Sequence, residues 1–261
     1  MAAKLRVAVH KFSSCDGCQL AFLNLGETLL ELAGLVEFAH FAEAGPVEPD
    51  VAVDVAFVEG SISTPEEAER IRRVRANARF LITIGACATA GGIQALRNLH
   101  NAQEWVAGVY ASPEYVSALE HVTPIAAQVR VDLELWGCPV SGHQVLAALR
   151  ALLSGVVPPE EEDKVCLECK RRQTVCVMVT RGVPCMGPVT RTGCGALCPA
   201  FGRDCYACYG PAENPNAPSL ARRLEGLGLT PGAVAARFHF INNQAPVFLD
   251  AGLAARTGED D

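Results

Sequence analysis

The first 153 residues alternate short apolar runs with stretches of helical periodicity. Leu5–Val9, Val53–Val58, Phe80–Ile84 and Val131–Trp136 read as strands, and Leu35–Phe41 as one more. Between them, Gln19–Leu32 and Gly142–Leu153 carry helical patterns. Ser63-Thr64-Pro65-Glu66-Glu67 combines a capping residue, a proline for the first turn and acids for the positive helix end, so it predicts another helix start. Strands separated by helices predict a parallel sheet covered on both faces, an α/β doubly wound, flavodoxin-like domain.

Near Gly155 the pattern changes. Two prolines and four consecutive acids (Pro158-Pro159-Glu160-Glu161-Glu162-Asp163) mark a boundary, dividing the chain into domains 1–155 and 156–261. The second stretch shows one short helical pattern, Ser219–Leu227, a turn-rich segment at Gly210–Pro218 and a frayed end at Gly258–Asp261. With so little apolar periodicity it reads as a small cysteine-rich domain with little regular structure, dependent on bound metal or a partner for stability.

Composition sharpens that picture. The 261 residues are 50% hydrophobic and 20% charged, as in a folded protein rather than a disordered one. A net charge of −7 argues against nucleic acid as partner. The beginning, Met-Ala-Ala-Lys-Leu-Arg-Val-Ala-Val-His, runs straight into a strand pattern without a secretory or twin-arginine signal. The longest uncharged run, Phe80–Leu96, is interrupted by Gly85, Gly91 and Gly92, so no membrane span is expected. The chain thus reads as cytoplasmic, a compartment where clustered cysteines mean metal or redox chemistry rather than disulfides.

There are 12 cysteines. Cys15 and Cys18 form a CxxC after the first strand, Cys87 follows the Phe80–Ile84 strand, and Cys138 follows Val131–Trp136. All three segments put cysteine at the carboxyl end of a parallel strand, the edge where open α/β sheets bind ligands. Four converging thiolates suit zinc or an iron–sulfur cluster, and a CxxC alone also suits a thioredoxin-like pair, which leaves Cys87 and Cys138 unexplained. The other eight are Cys166, Cys169, Cys176, Cys185, Cys194, Cys198, Cys205 and Cys208, set among glycines and prolines. A zinc ribbon from the outer CxxC pairs would strand four of them, so two sequential sets of four are the simplest division. Three sets of four, with no GxGxxG, Walker A or GxSxG motif, describe an electron wire.

These residues resemble a known family. Cys15-Asp-Gly-Cys18-Gln-Leu, Val58-Glu59-Gly60-Ser61-Ile62, Gly85-Ala-Cys87-Ala-Thr-Ala-Gly91-Gly92-Ile93 and Gly137-Cys138-Pro139 are similar to the small subunit of [NiFe] hydrogenases. The complex I cluster subunit, whose motif carries adjacent cysteines, is a more distant likeness. The block from Cys166-Leu-Glu-Cys169 through Gly187-Pro-Val-Thr-Arg191 to Cys205-Tyr-Ala-Cys208-Tyr-Gly-Pro211 resembles the delta subunit of cytosolic sulfhydrogenase or NAD(P)-linked hydrogenases. The resemblance implies three [4Fe–4S] clusters: a proximal one on Cys15, Cys18, Cys87 and Cys138, a medial one on Cys194, Cys198, Cys205 and Cys208, and a distal one on Cys166, Cys169, Cys176 and Cys185. Membrane-linked relatives carry histidine where Cys166 stands and often proline where Cys198 stands, so both cysteines point to the cytosolic branch.

The same resemblance places the nickel–iron site in a separate large subunit, and flavin (FAD) and NAD(P) in diaphorase subunits, with no catalytic residue in this chain. Competing readings are a complex I-like oxidoreductase module without nickel and a zinc-stabilised binding protein. Glu59, at another strand's carboxyl end, is a candidate for proton movement or for contact with the large subunit, or else an ordinary helix-capping acid. His143 is a donor to the proximal site or a first-turn residue. Lys170-Arg171-Arg172 is a solvated basic run or a docking patch, and Tyr206 and Tyr209 shield the medial cluster.

Overall fold

The computed structural model describes residues 4–158 and 161–257. The boundary residues Pro159 and Glu160 and the end expected to fray, Gly258–Asp261, lie outside the described residues. Five parallel strands, β1 (Leu5–Lys11), β2 (Val36–Phe41), β3 (Val53–Glu59), β4 (Ala78–Ile84) and β5 (Leu133–Leu135), form one sheet in the order β2-β1-β3-β4-β5. The crossover between β2 and β3 reverses the direction of strand addition, which makes the sheet doubly wound as expected.

Strand register explains the two-sided burial. Val7 pairs with Val55 and Val9 with Phe57; Phe57 in turn pairs with Ile82, and Ile82 with Leu133. These residues share one core with Phe22, Leu32, Val145 and Leu149. The alternate residues Ala8, Ala56, Val58 and Leu81 pack with Ile71 and Val74 on the opposite face. Period-two alternation therefore feeds two apolar layers, and the strands read as nearly continuous hydrophobic runs.

The expected helix Gln19–Leu32 is two helices, α1 (Gly17–Leu23) and α2 (Glu27–Leu35). Gly26 separates them at φ +59°, a conformation that breaks the helical path. The motif at Thr64 starts α3 (Pro65–Asn77): Glu67 N–H donates to Thr64 Oγ1 (3.2 Å), and Thr64 N–H donates to Glu67 Oε2 (3.2 Å). Short α4 (Gly85–Ala90) follows β4, α5 (Ala102–Val109) lies in the long β4–β5 connection, and α6 (Gly142–Leu153) follows β5.

The second region holds more regular structure than its apolar pattern predicts. Besides α7 (Val165–Arg171), α8 (Val177–Arg181) and α9 (Leu197–Ala200) it has α10 (Ala217–Glu225), α11 (Pro231–Phe238) and α12 (Pro246–Thr257), where the sequence predicts one helix, Ser219–Leu227. Leu220, Leu224, Val234, Phe238 and Phe248 pack with Val177, Met186 and Val189 in one core. The apolar residues of α11 and α12 are rich in alanine and fall without a clear helical period, so these two helices are not legible alone. Trp136 and Ala90 from the sheet domain join the same cluster, so the two regions share an apolar seam. Arg191 stacks over the Trp136 ring, 4.7 Å from its centroid.

One buried polar pair has a measurable consequence. His10 and His40 stack on β1 and β2 with centroids 4.5 Å apart, 3% and 4% exposed. Burial, then His40, then Arg70 lower the His10 pKa from 6.5 to about 3. Below pH 6.5 the unfolded chain takes up a proton that the folded chain refuses, so this contribution to stability is lost as pH falls from 6.5 towards 3. Between pH 6.5 and pH 5 the loss is about 1.5 kcal/mol, with His10→Phe expected to remove that slope. Urea midpoints measured across this pH range in both proteins check it, and equal slopes would contradict it.

Candidate iron–sulfur sites

The strand ends place the first four cysteines. Beyond β1 the chain pairs Ser13 with Ser61, past the end of β3, and turns through Asp16 at φ 66° into α1, which carries Cys18. Cys87 lies on α4 directly after β4, and Cys138 three residues past β5. Gly85, at φ +85°, lets β4 turn beneath Cys18: a Cβ there would stand 2.3 Å from Cys18 Sγ. Ala86 N–H donates to Gly137 O (2.6 Å), tying the Cys87 and Cys138 segments together, and Val140 N–H donates to Cys18 Sγ (3.5 Å). Gln94 meets Cys87 Sγ through Oε1 (3.5 Å), and its Nε2 donates to Ser13 O (2.8 Å) beside the CxxC.

Electrostatics report the same convergence. Burial pushes the Cys87 thiol up to about 11, helped by Cys138 and Cys15. Cys18 is raised further, by burial and then by Glu59, with Cys87 and Cys138 adding to it. Cys138 is raised by burial and by Cys15. Thiols that resist ionisation because burial, and then neighbouring thiols, disfavour the charge become thiolates when a metal centre neutralises the set.

Glu59 is only 2% exposed. Its carboxylate accepts from the N–H groups of Cys18 (3.0 Å) and Gln19 (3.3 Å) at the start of α1. Burial raises its pKa against those bonds. The residue therefore caps α1 inside the chain, as the capping alternative expects. His143 is a first-turn residue of α6, its N–H donating to Ser141 Oγ (3.3 Å).

The other eight cysteines divide around two cavities. Cys166, Cys169, Cys176 and Cys185 all line one of about 160 Å³. Cys194, Cys198, Cys205 and Cys208 line another of about 770 Å³, together with Tyr206, Tyr209 and Cys138 of the sheet domain. Burial and neighbouring thiols raise Cys169 to about 11 and Cys208 to about 12; among the neighbours of Cys208 are Cys194, Cys138 and Cys198. Tyr209, 5% exposed, packs against Gly137 and Gly193, between the first-domain set and the second cavity.

The donor sets fit iron–sulfur clusters. Each is all-thiol, partly or wholly buried, and ringed by backbone N–H groups such as Val140 on Cys18 and Cys205 on Cys185 (3.3 Å), the contacts that tune such centres. Among the described residues no three His, Cys, Asp or Glu side chains close on one ion. A single zinc draws its ligands onto one ion, whereas a cubane spreads them over four corners.

Glu168, between the cysteines of Cys166-Leu-Glu-Cys169, lies outside the candidates that the sequence points to. Its carboxylate accepts from Gly193 N–H (2.9 Å) and Ala196 N–H (3.0 Å), so one acid on α7 positions the loop that carries Cys194. An acid inside a CxxC is the available signal. Thr190, whose hydroxyl lies 3.7 Å from Cys205 Sγ, stands in the Gly187–Arg191 block of the resemblance without a role of its own there.

The chain is similar to known proteins. Residues 15–152 match the family described as NADH ubiquinone oxidoreductase, 20 Kd subunit. The chain is 34% identical to sulfhydrogenase 2 subunit delta of Pyrococcus furiosus over 221 residues, covering 85% of this chain and 92% of that protein. It is 29% identical to the delta subunit of the NAD-reducing hydrogenase HoxS of Cupriavidus necator over 167 residues, covering 58% of this chain and 80% of that protein. A chain in the solved structure of an NAD+-reducing [NiFe] hydrogenase in the H2-reduced state superposes with a TM-score of 0.56 at 32% identity, covering 60% of this chain and 96% of its own. The family match spans more than half of the chain and the sulfhydrogenase subunit is 34% identical: the chain belongs to the NADH ubiquinone oxidoreductase 20 kDa subunit family, in its branch of [NiFe] hydrogenase small subunits.

Proposed function

We propose that this chain conducts electrons between a nickel-bearing large subunit and a flavin-containing, NAD(P)-linked diaphorase module, in the cytoplasm, through three [4Fe–4S] clusters. Cys15, Cys18, Cys87 and Cys138 hold the proximal cluster, Cys194, Cys198, Cys205 and Cys208 the medial one, and Cys166, Cys169, Cys176 and Cys185 the distal one. A [4Fe–4S] centre supplies reversible one-electron storage. Contacts among the chain's own residues support this order. Cys138 shares the 770 Å³ cavity with the medial set, while the Cys205 N–H donating to Cys185 Sγ ties the medial set to the distal one. Tyr209 and Tyr206 line that cavity and add apolar surface beside the medial set.

The observation that carries the proposal is the division of eight cysteines around two cavities, one of which also receives a ligand of the sheet domain. Iron and acid-labile sulfide analysis of anaerobically prepared protein tests it, with about twelve irons expected per chain from three four-iron centres. A colourless, zinc-loaded protein would overturn the reading. Likeness to an NADH ubiquinone oxidoreductase subunit over residues 15–152 favours one alternative, a partner without nickel. Sequencing the co-purifying large subunit decides it: two CxxC pairs for nickel support the hydrogenase complex, and their absence removes it.

A further inference from the structure

Two consecutive asparagines reach two cysteine sets from one loop. The loop, residues 239–245, joins α11 to α12 and contains no cysteine. Asn242 and Asn243 are 1% and 0% exposed. Asn242 Nδ2 donates to Ala207 O (2.7 Å), inside Cys205-Tyr-Ala-Cys208 of the medial set. Asn243 Nδ2 donates to Gly92 O (2.8 Å), and Gln244 N–H to Ala90 O (3.4 Å), both in the turn that follows Cys87 of the first-domain set. The loop itself is anchored: His239 Nε2 donates to Leu249 O (2.9 Å) on α12, and Ala245 N–H to Asn242 O (3.1 Å).

Each residue held in this way touches a cysteine sulfur. Ala207 N–H donates to Cys205 Sγ (3.5 Å), and Ala207 stands at φ 59°, a left-handed backbone that costs a non-glycine residue energy. Gly92, at φ +66°, packs so tightly that a Cβ there would stand 2.5 Å from Cys87 Sγ. Gln244 Nε2 donates to Asn243 Oδ1 (3.0 Å) and so orients that amide. Among the described residues Asn242 Oδ1 meets no donor, although it is buried. A buried amide with an unmet oxygen is costly, and the bond it does make is the one to Ala207. Both carbonyls also accept one backbone N–H, from Gly210 (3.0 Å) and Ala95 (3.2 Å), so removing either amide orphans neither.

We propose that Asn242 and Asn243 are positioning residues, one for each of two centres. Asn242 holds the Ala207 N–H on Cys205 Sγ, and Asn243 seats Gly92 against Cys87 Sγ. The inference rests on the assignment of both cysteine sets to iron–sulfur centres. An N–H bond to a ligand sulfur stabilises the more negative, reduced form of such a centre and raises its potential. Packing that keeps water from a ligand sulfur disfavours the added charge and lowers it. Asn242 therefore holds the medial potential up, and Asn243 holds the first-domain potential down. A single loop of the α11–α12 unit sets both.

The test is a redox titration of the complex of this chain with its large subunit, followed by paramagnetic resonance. Cys87→Ala and Cys205→Ala assign the first-domain and medial signals by altering one each. Asn242→Leu and Asn243→Leu each remove one amide at similar side-chain volume. Asn242→Leu is expected to shift the medial midpoint downwards and leave the first-domain one in place. Asn243→Leu is expected to shift the first-domain midpoint upwards and leave the medial one in place. Where a variant sheds iron, loss of about four of twelve irons, with only its own signal gone, supports the same assignment. Unchanged midpoints, shifts of the opposite sign, or changes at both centres in one variant overturn it, as a merely structural loop would leave both potentials alone. A wild-type complex without iron overturns the electron-transfer assignment instead, before any variant is compared.

Discussion

Gly85→Ala is expected to leave about eight of twelve irons per chain, the first-domain centre being lost and the other two kept. At φ +85° an alanine is strained by about 1–2 kcal/mol, but strain is the smaller effect. The new methyl group would stand 2.3 Å from Cys18 Sγ and 3.4 Å from Gly137 O, so either the sulfur leaves its place or the β4 turn opens. The turn is held by the Ala86–Gly137 bond, which leaves the sulfur to move. Iron quantitation and the paramagnetic spectrum of the reduced protein read the outcome. Gly34→Ala, where a Cβ meets nothing within 4 Å on α2, is the control and keeps all the iron. Full iron content in Gly85→Ala would remove Cys18 from the ligand set.

Anaerobic removal of iron by a chelator is expected to open the loops between residues 164 and 210 while the sheet stays folded. The cysteine-bearing loops there are joined by isolated contacts such as Val165 to Thr190 O and Arg191 to Gly210 O, with no ladder to make them cooperative. Structural metal sites contribute on the order of 10 kcal/mol to small domains of this kind. Without the metal, several buried thiols of raised pKa remain in crowded apolar pockets. Amide hydrogen exchange should show lost protection in α7 to α9, with the amides of β1, β3 and β4 retaining theirs. The core around Leu224, Val234, Phe238 and Phe248, each at most 1% exposed, keeps α10 to α12 protected. Unchanged protection throughout would mean that the apolar seam alone folds this region.

The local signals in the chain are strong where one residue's chemistry decides the outcome. Thr64-Pro65 with Glu67 starts a helix because the capping bonds are local, and the strands are visible because two-sided burial demands continuous apolar runs. Gln19–Leu32 misleads because its apolar spacing continues through Gly26, and only the backbone turn there shows the break. The helices after Ala217 are underestimated for the opposite reason: each buries a few side chains against the others, and that burial is a property of the assembled group.

By itself the sequence determined the chemistry: which residues can bind metal, that they number 12, and that three segments bring cysteine to the carboxyl ends of strands. Thiols and strand periodicity are local properties, fixed by residue type and spacing. Tertiary structure decided what depends on distance. It turned Glu59 inwards onto α1, set Glu168 beneath the Cys194 loop, and joined Cys138 to the cavity of the second set. It also brought Asn242 and Asn243 from one loop onto the turns of two cysteine sets. Residues as far apart in the chain as Cys138 and Cys208 meet only because the packed sheet and the seam at Trp136 bring them together.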